Sequence, residues 1–173
     1  MDVAPTKALV LVRHAKSSWD LDVDDHERPL SGRGRRDSRA LGQLLADRAI
    51  RPGLVLCSTA LRTRQTWEGA LAGGAAATEV RFEPRIYHAW VPELVGLVRC
   101  APPEVQTLLV LGHASGIPNL VEHLGVREDG SELWARFDVK FPTAAVAVLC
   151  LTHAWADVGK GRAHLTSYEV PRA

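Results

Sequence analysis

Residues 8–15 read ALVLVRHA: an unbroken run of small and aliphatic side chains, then a guanidinium at Arg13 and an imidazole at His14. Such a run is continuous rather than alternating, as a strand is when both its faces are covered. Leu54–Cys57 and Leu108–Leu111 repeat the pattern, and Val80–Phe82 and Ala144–Leu151 repeat it more weakly. Segments of helical period lie between them. Ser31 can cap a helix that puts Leu41, Leu44, Leu45 and Arg48 on one face and ends at Pro52-Gly53. A second helix is expected to start after Ser58 or Thr59 and run to about Leu71, before GGAAA at 73–77 breaks the pattern. Pro92 and Pro118 suit the first turns of a third helix, with Leu94, Val95 and Val98, and a fourth, with Leu120, Val121 and Leu124. Val158-Gly159-Lys160-Gly161 suits a hairpin turn between Ala144–Leu151 and Ala163–Val170. This alternation predicts a three-layer α/β/α sandwich, a mostly parallel central sheet with helices on both faces.

The 173 residues, 46% of them hydrophobic, suffice for one well-buried core and would be crowded as two. We read a single domain over 1–173, with no repeat or linker. The 21 basic and 20 acidic side chains nearly cancel, so no whole-molecule field gathers nucleic acid or an anionic membrane. The opening MDVAPTK lacks the pattern of a leader, and the longest apolar run, Ala144–Leu151, is too short to span a bilayer. A cytoplasmic protein is expected, without nucleic-acid or membrane partners; the sequence does not fix its oligomeric state. Cys57, Cys100 and Cys150 are odd in number and far apart, which points to reduced thiols, buried at 57 and 150, rather than a disulfide framework or zinc site.

The functional signal is positional. Arg13-His14 ends the first apolar run, Ser58 and Arg62 follow the second, and Gly112-His113 ends the run at Leu111. Ligands of open α/β sheets bind beyond the carboxyl ends of the strands, so these groups are expected to converge there. Arg62 falls in the first helical turn, where its charge and the free amides both favour an anion. Planar guanidinium forks beside two imidazoles fit a phosphoryl group.

The residues also resemble a known family. LVRHAKSSW over 11–19 is similar to the RHG or RHA motif of the histidine phosphatase superfamily, branch 1. STALRTRQT over 58–66 resembles its SxxxRxxQT element, and LGH over 111–113 its second histidine motif. DHERPL at 25–30, IYHA at 86–89 and FPT at 141–143 resemble further landmarks of the SixA-like phosphohistidine phosphatases. The resemblance implies a phosphoglycerate mutase-like fold and a phosphatase in which His14 is transiently phosphorylated. Arg13, Arg62, His113 and the backbone of Ala114 would bind the phosphoryl group. Ser17, Asp20, Ser58 and His88 are secondary candidates. Two positions depart from the pattern: Ala114-Ser115 stands where asparagine and proline are usual, and His88 where many relatives keep a glutamate acid.

No cofactor or metal is required by this scheme, and the expected partner is a phosphorylated protein or small phosphorylated substrate. The short connections predict an open cleft without a lid. The alternatives are a small-molecule phosphomonoesterase or mutase-like enzyme, and a phosphate-binding module without turnover. Two other signals fail. The Asp20–Asp25 run lacks the glycine and glutamate of a calcium loop, and the basic cluster Gly32–Arg36 lacks the aromatic interleaving of a nucleic-acid surface, reading instead as the start of a solvated helix.

Overall fold

The computed structural model describes residues 6–173, so most of the amino-terminal stretch read above for a leader lies outside it. Six strands form one sheet: β1 (Lys7–Arg13), β2 (Leu54–Cys57), β3 (Glu79–Phe82), β4 (Thr107–Gly112), β5 (Val146–Leu151) and β6 (His164–Glu169). Their order is β3-β2-β4-β1-β5-β6. The first four are mutually parallel; β5 pairs antiparallel with β1, and β6 antiparallel with β5, so β5 alone runs against the rest.

The helices are α1 (Gly32–Asp47), α2 (Leu61–Ala72), α3 (Val91–Arg99), α4 (Gly116–Leu124) and α5 (Glu132–Val139). Side-chain alternation along β1 divides the core. Leu9 and Leu11 pack with α3, α4 and α5 on one face, whereas Val10 and Val12 pack with Leu41, Leu45, Trp67 and Ala70 of α1 and α2 on the other. Both faces are thereby dry, which is why the strand runs are continuous. Among the described residues no helix is long and apolar enough to cross a membrane.

Several local expectations need correction. Arg48 is exposed past the end of α1 and pairs with Glu169, so only the leucines of that set face inward. The expected hairpin does form, β5 pairing antiparallel with β6, but its connection also carries a 3₁₀ turn at Trp155–Asp157, and the fully buried Trp155 donates its indole N–H to Val105 O. Helix α5 was not expected. It docks through Trp134 and Phe137, its N-terminus capped by Ser131. Cys57 is fully buried, and burial pushes its thiol up to about 12, but Cys150 is only half-buried.

Candidate active site

A cleft of about 400 Å³ opens beyond the carboxyl ends of β1, β2 and β4. Backbone bonds tie those ends together: the His14 amide donates to Gly112 O at 2.9 Å and the Ser58 amide to Leu111 O at 3.0 Å. The pairing Arg13↔Gly112 sets His14 beside His113, with ring centroids 5.2 Å apart. Arg13, His14, Arg62, His113, Ala114, Ser17 and His88 all line the cleft. Asp20 does not; it lies in an exposed turn and accepts a hydrogen bond from Ser18 Oγ.

The second helix begins at Leu61, after Ser58 and Thr59 as expected. Ala60 holds the cap position without a side-chain bond, and neither Ser58 nor Thr59 caps it. The Ser58 hydroxyl instead lies 2.8 Å from His113 Nε2, fully buried. Thr63 holds this turn by donating its hydroxyl to Ser58 O at 2.8 Å. Thr66 Oγ1 accepts from the Ala15 amide and Gln65 Oε1 from the Leu30 amide, so α2 also fixes the loop that carries His14.

His14 is 7% exposed, and its Nδ1 lies 2.7 Å from the Ala15 carbonyl oxygen. Burial lowers its pKa to about 3, and the Arg62, Arg13 and Arg28 guanidiniums add to the fall. Burial likewise lowers His113 to about 2, reinforced by His14, Arg62 and His88. Both imidazoles are therefore neutral at pH 7.

Arg62 is 5% exposed and aims Nη1 and Nη2 at the Asp25 backbone oxygen, 2.6 Å, and carboxylate, 3.0 Å. Arg13 Nη1 donates to Phe141 O. Three buried nitrogens of the cleft residues have no partner: Arg13 Nε, Arg62 Nε and His113 Nδ1. Buried polar atoms are rarely left unpaired, and all three belong to residues that line the cleft.

Five of the twelve residues lining the cleft were not among the sequence candidates. The connection over residues 14–31 is not short; it brings Lys16, Trp19, Asp25 and Arg28 to the cleft, and Thr143 closes the far side. The Asp25 carboxylate accepts from Tyr87 Oη at 2.7 Å, Arg28 Nε at 2.9 Å and Arg62 Nη2 at 3.0 Å. The Tyr87 hydroxyl, then the two guanidiniums, hold that carboxyl well below its usual range. Arg28 also donates to Ser17 Oγ at 3.0 Å and lies 3.5 Å from the Trp19 ring centre. Signals were available: Lys16, Trp19, Asp25, Arg28 and Thr143 all fall within the stretches at 11–19, 25–30 and 141–143 quoted for the family resemblance, and the Asp25–Arg28 spacing allows the i,i+3 ion pair seen at the 3₁₀ turn Asp25–Glu27.

Fold and site together define a three-layer α/β enzyme whose strand ends surround a phosphoryl-sized cleft with guanidiniums and paired imidazoles. The family model of the histidine phosphatase superfamily (branch 1) matches residues 9–90. An uncharacterized protein of Mycobacterium tuberculosis is 36% identical over 93% of this chain and 100% of its own length. Among solved structures, a Nakamurella multipartitia protein assigned to the SixA phosphohistidine phosphatases superposes with TM-score 0.86 at 35% identity, covering 99% of this chain and 100% of that one. A similarly assigned protein of Agrobacterium tumefaciens gives TM-score 0.76 at 29% identity, covering 96% and 99%. The chain belongs to the histidine phosphatase superfamily, is SixA-like within it, and has the phosphoglycerate mutase-like fold. It is a phosphatase.

Proposed function

We propose that the enzyme takes the phosphoryl group from phosphohistidine, or a similarly labile phosphoramidate, on a protein surface and passes it through His14 to water. The observation that carries this reading is the His14 Nδ1 contact. A carbonyl oxygen only accepts, so Nδ1 bears the hydrogen, and neutral His14 presents a bare Nε2 as nucleophile. Nε2 attacks phosphorus as the bond to the leaving nitrogen breaks, and that imidazole departs neutral because its far nitrogen carries a proton. Arg13, Arg62, Arg28 and His113 meet the charge on the equatorial oxygens. Water then cleaves the new P–N bond, releasing phosphate and restoring His14.

The leaving group supports a phosphoramidate over an alkyl ester. Among the described residues Asp25 is the one carboxylate lining the cleft, and its three donors keep it ionised, so it has no proton to give an alkoxide. The SixA assignment of the solved relatives points the same way.

Acid-quench trapping with phosphoramidate tests the reading. We expect acid-labile label on the protein that is absent from His14→Ala, with phosphohistidine protein hydrolysed far faster than 3-phosphoglycerate. Turnover that persists in His14→Ala, or a preference for the alkyl ester, would refute it.

A further inference from the structure

We infer that Ser58 is a positioning residue that fixes the tautomer of His113, so that its Nδ1–H faces the phosphoryl group. The inference rests on the phosphatase reading for its purpose but not for its geometry. The Ser58 hydroxyl is fully buried, and its proton needs an acceptor. Two groups meet this oxygen among the described residues: the Ala60 amide at 3.4 Å, which can only donate, and His113 Nε2 at 2.8 Å. If Nε2 carried the hydrogen, the oxygen would face two donors and its own proton would be stranded. With Nε2 bare, the hydroxyl and both groups that meet it are satisfied, and the single hydrogen of the neutral ring sits on Nδ1.

Nδ1 is the buried atom without a partner. A bare lone pair there would repel a phosphoryl oxygen, whereas an N–H completes the donor set with Arg13 Nε and Arg62 Nε. The two imidazoles thus take complementary roles from their local partners. The Ala15 carbonyl leaves His14 a lone pair to attack with, and the Ser58 hydroxyl leaves His113 a hydrogen to donate. Ser58 can do this because both its ends are held, its amide by Leu111 O and its carbonyl by Thr63 Oγ1.

The test is long-range proton–nitrogen correlation NMR on the histidine-labelled, unliganded protein at pH 7, with His113 assigned by its loss in His113→Gln. We expect Nδ1 protonated and Nε2 bare. In Ser58→Ala the Nε2–H form should gain population, and kcat on phosphoramidate should fall about tenfold, the worth of one hydrogen bond, with KM little changed. Ser58→Thr, which keeps the hydroxyl, should restore the parent tautomer. An Nε2–H ring in the parent protein, or unchanged kcat in Ser58→Ala, would overturn the inference. Absence of a trapped phosphohistidine at residue 14 would instead sink the phosphatase mechanism and leave the tautomer result standing.

Discussion

Replacing either active-site histidine by glutamine should flatten the acid side of the stability curve. In the fold the imidazoles of His14 and His113 have pKa values of about 3 and about 2, against about 6.5 in an unfolded chain. Between those limits the unfolded chain binds protons that the native state refuses, so stability is complete above about pH 6.5 and is lost as pH falls toward the folded values. The slope is about 1.4 kcal/mol per pH unit for each group. Going from pH 7 to pH 5, each ring should therefore cost about 2 kcal/mol and the pair about 4 kcal/mol, a large share of a typical 5–15 kcal/mol. Asp25, held below the usual carboxylate range, stays ionised across this window. Urea unfolding at pH 7, 6 and 5 checks the claim. His14→Gln and His113→Gln should each lose about 2 kcal/mol less than the parent between pH 7 and pH 5. Curves that stay parallel would show that these rings already titrate normally in the fold, and the picture of two neutral imidazoles among guanidiniums would fail.

Asp25→Asn removes the charge shared by Arg28, Arg62 and Tyr87. Because the carboxylate is 44% exposed, we discount its three bonds to about 1–2 kcal/mol together and expect roughly a tenfold fall in kcat/KM with a raised KM in steady-state kinetics. Gly42→Ala places a Cβ into the Ala70 carbonyl where α1 crosses α2 and should cost about 3 kcal/mol or more by denaturant titration, whereas Gly96→Ala, with nothing within 4 Å, should stabilise α3 by about 0.5–1 kcal/mol.

The parts of the structure visible in the sequence are those set by local pattern. Leu9 through Val12 announced a strand covered on both faces because every position is apolar, and Ser31 announced its helix because its hydroxyl does accept the Gly34 amide. Helix α5 escaped because two aromatics, Trp134 and Phe137, carry its burial, and so short a segment shows no clear period. The same division holds in the cleft. His14, Arg62 and His113 were legible since each follows a strand and strand ends converge by topology. Asp25, Arg28, Lys16 and Tyr87 arrive on aperiodic loops, whose reach depends on tertiary contacts such as Gln65 with Leu30 and Thr66 with Ala15. Ser58 was named as a secondary candidate, but its partner could not be read: a serine before a helix commonly caps it, and here a neighbouring strand end offers an imidazole nitrogen instead.

That partner choice shows how the cleft reconciles two opposed needs. A phosphoryl dianion calls for positive charge, and Arg13, Arg28 and Arg62 supply it permanently because guanidiniums stay protonated. A histidine nucleophile calls for a neutral ring with one bare nitrogen, which a nearby anion would discourage and nearby cations favour. On the proposed reading, the guanidiniums that would bind the substrate also favour neutral imidazoles before it arrives, Arg62, Arg13 and Arg28 at His14 and Arg62 at His113, adding to what burial has begun. Asp25 limits the excess: lodged between Arg62 and Arg28, it orients both forks and stays ionised, so it takes no proton from the reaction. With charge assigned to the arginines, each imidazole is left only the question of which nitrogen bears its hydrogen, and Ala15 and Ser58 answer it in opposite senses.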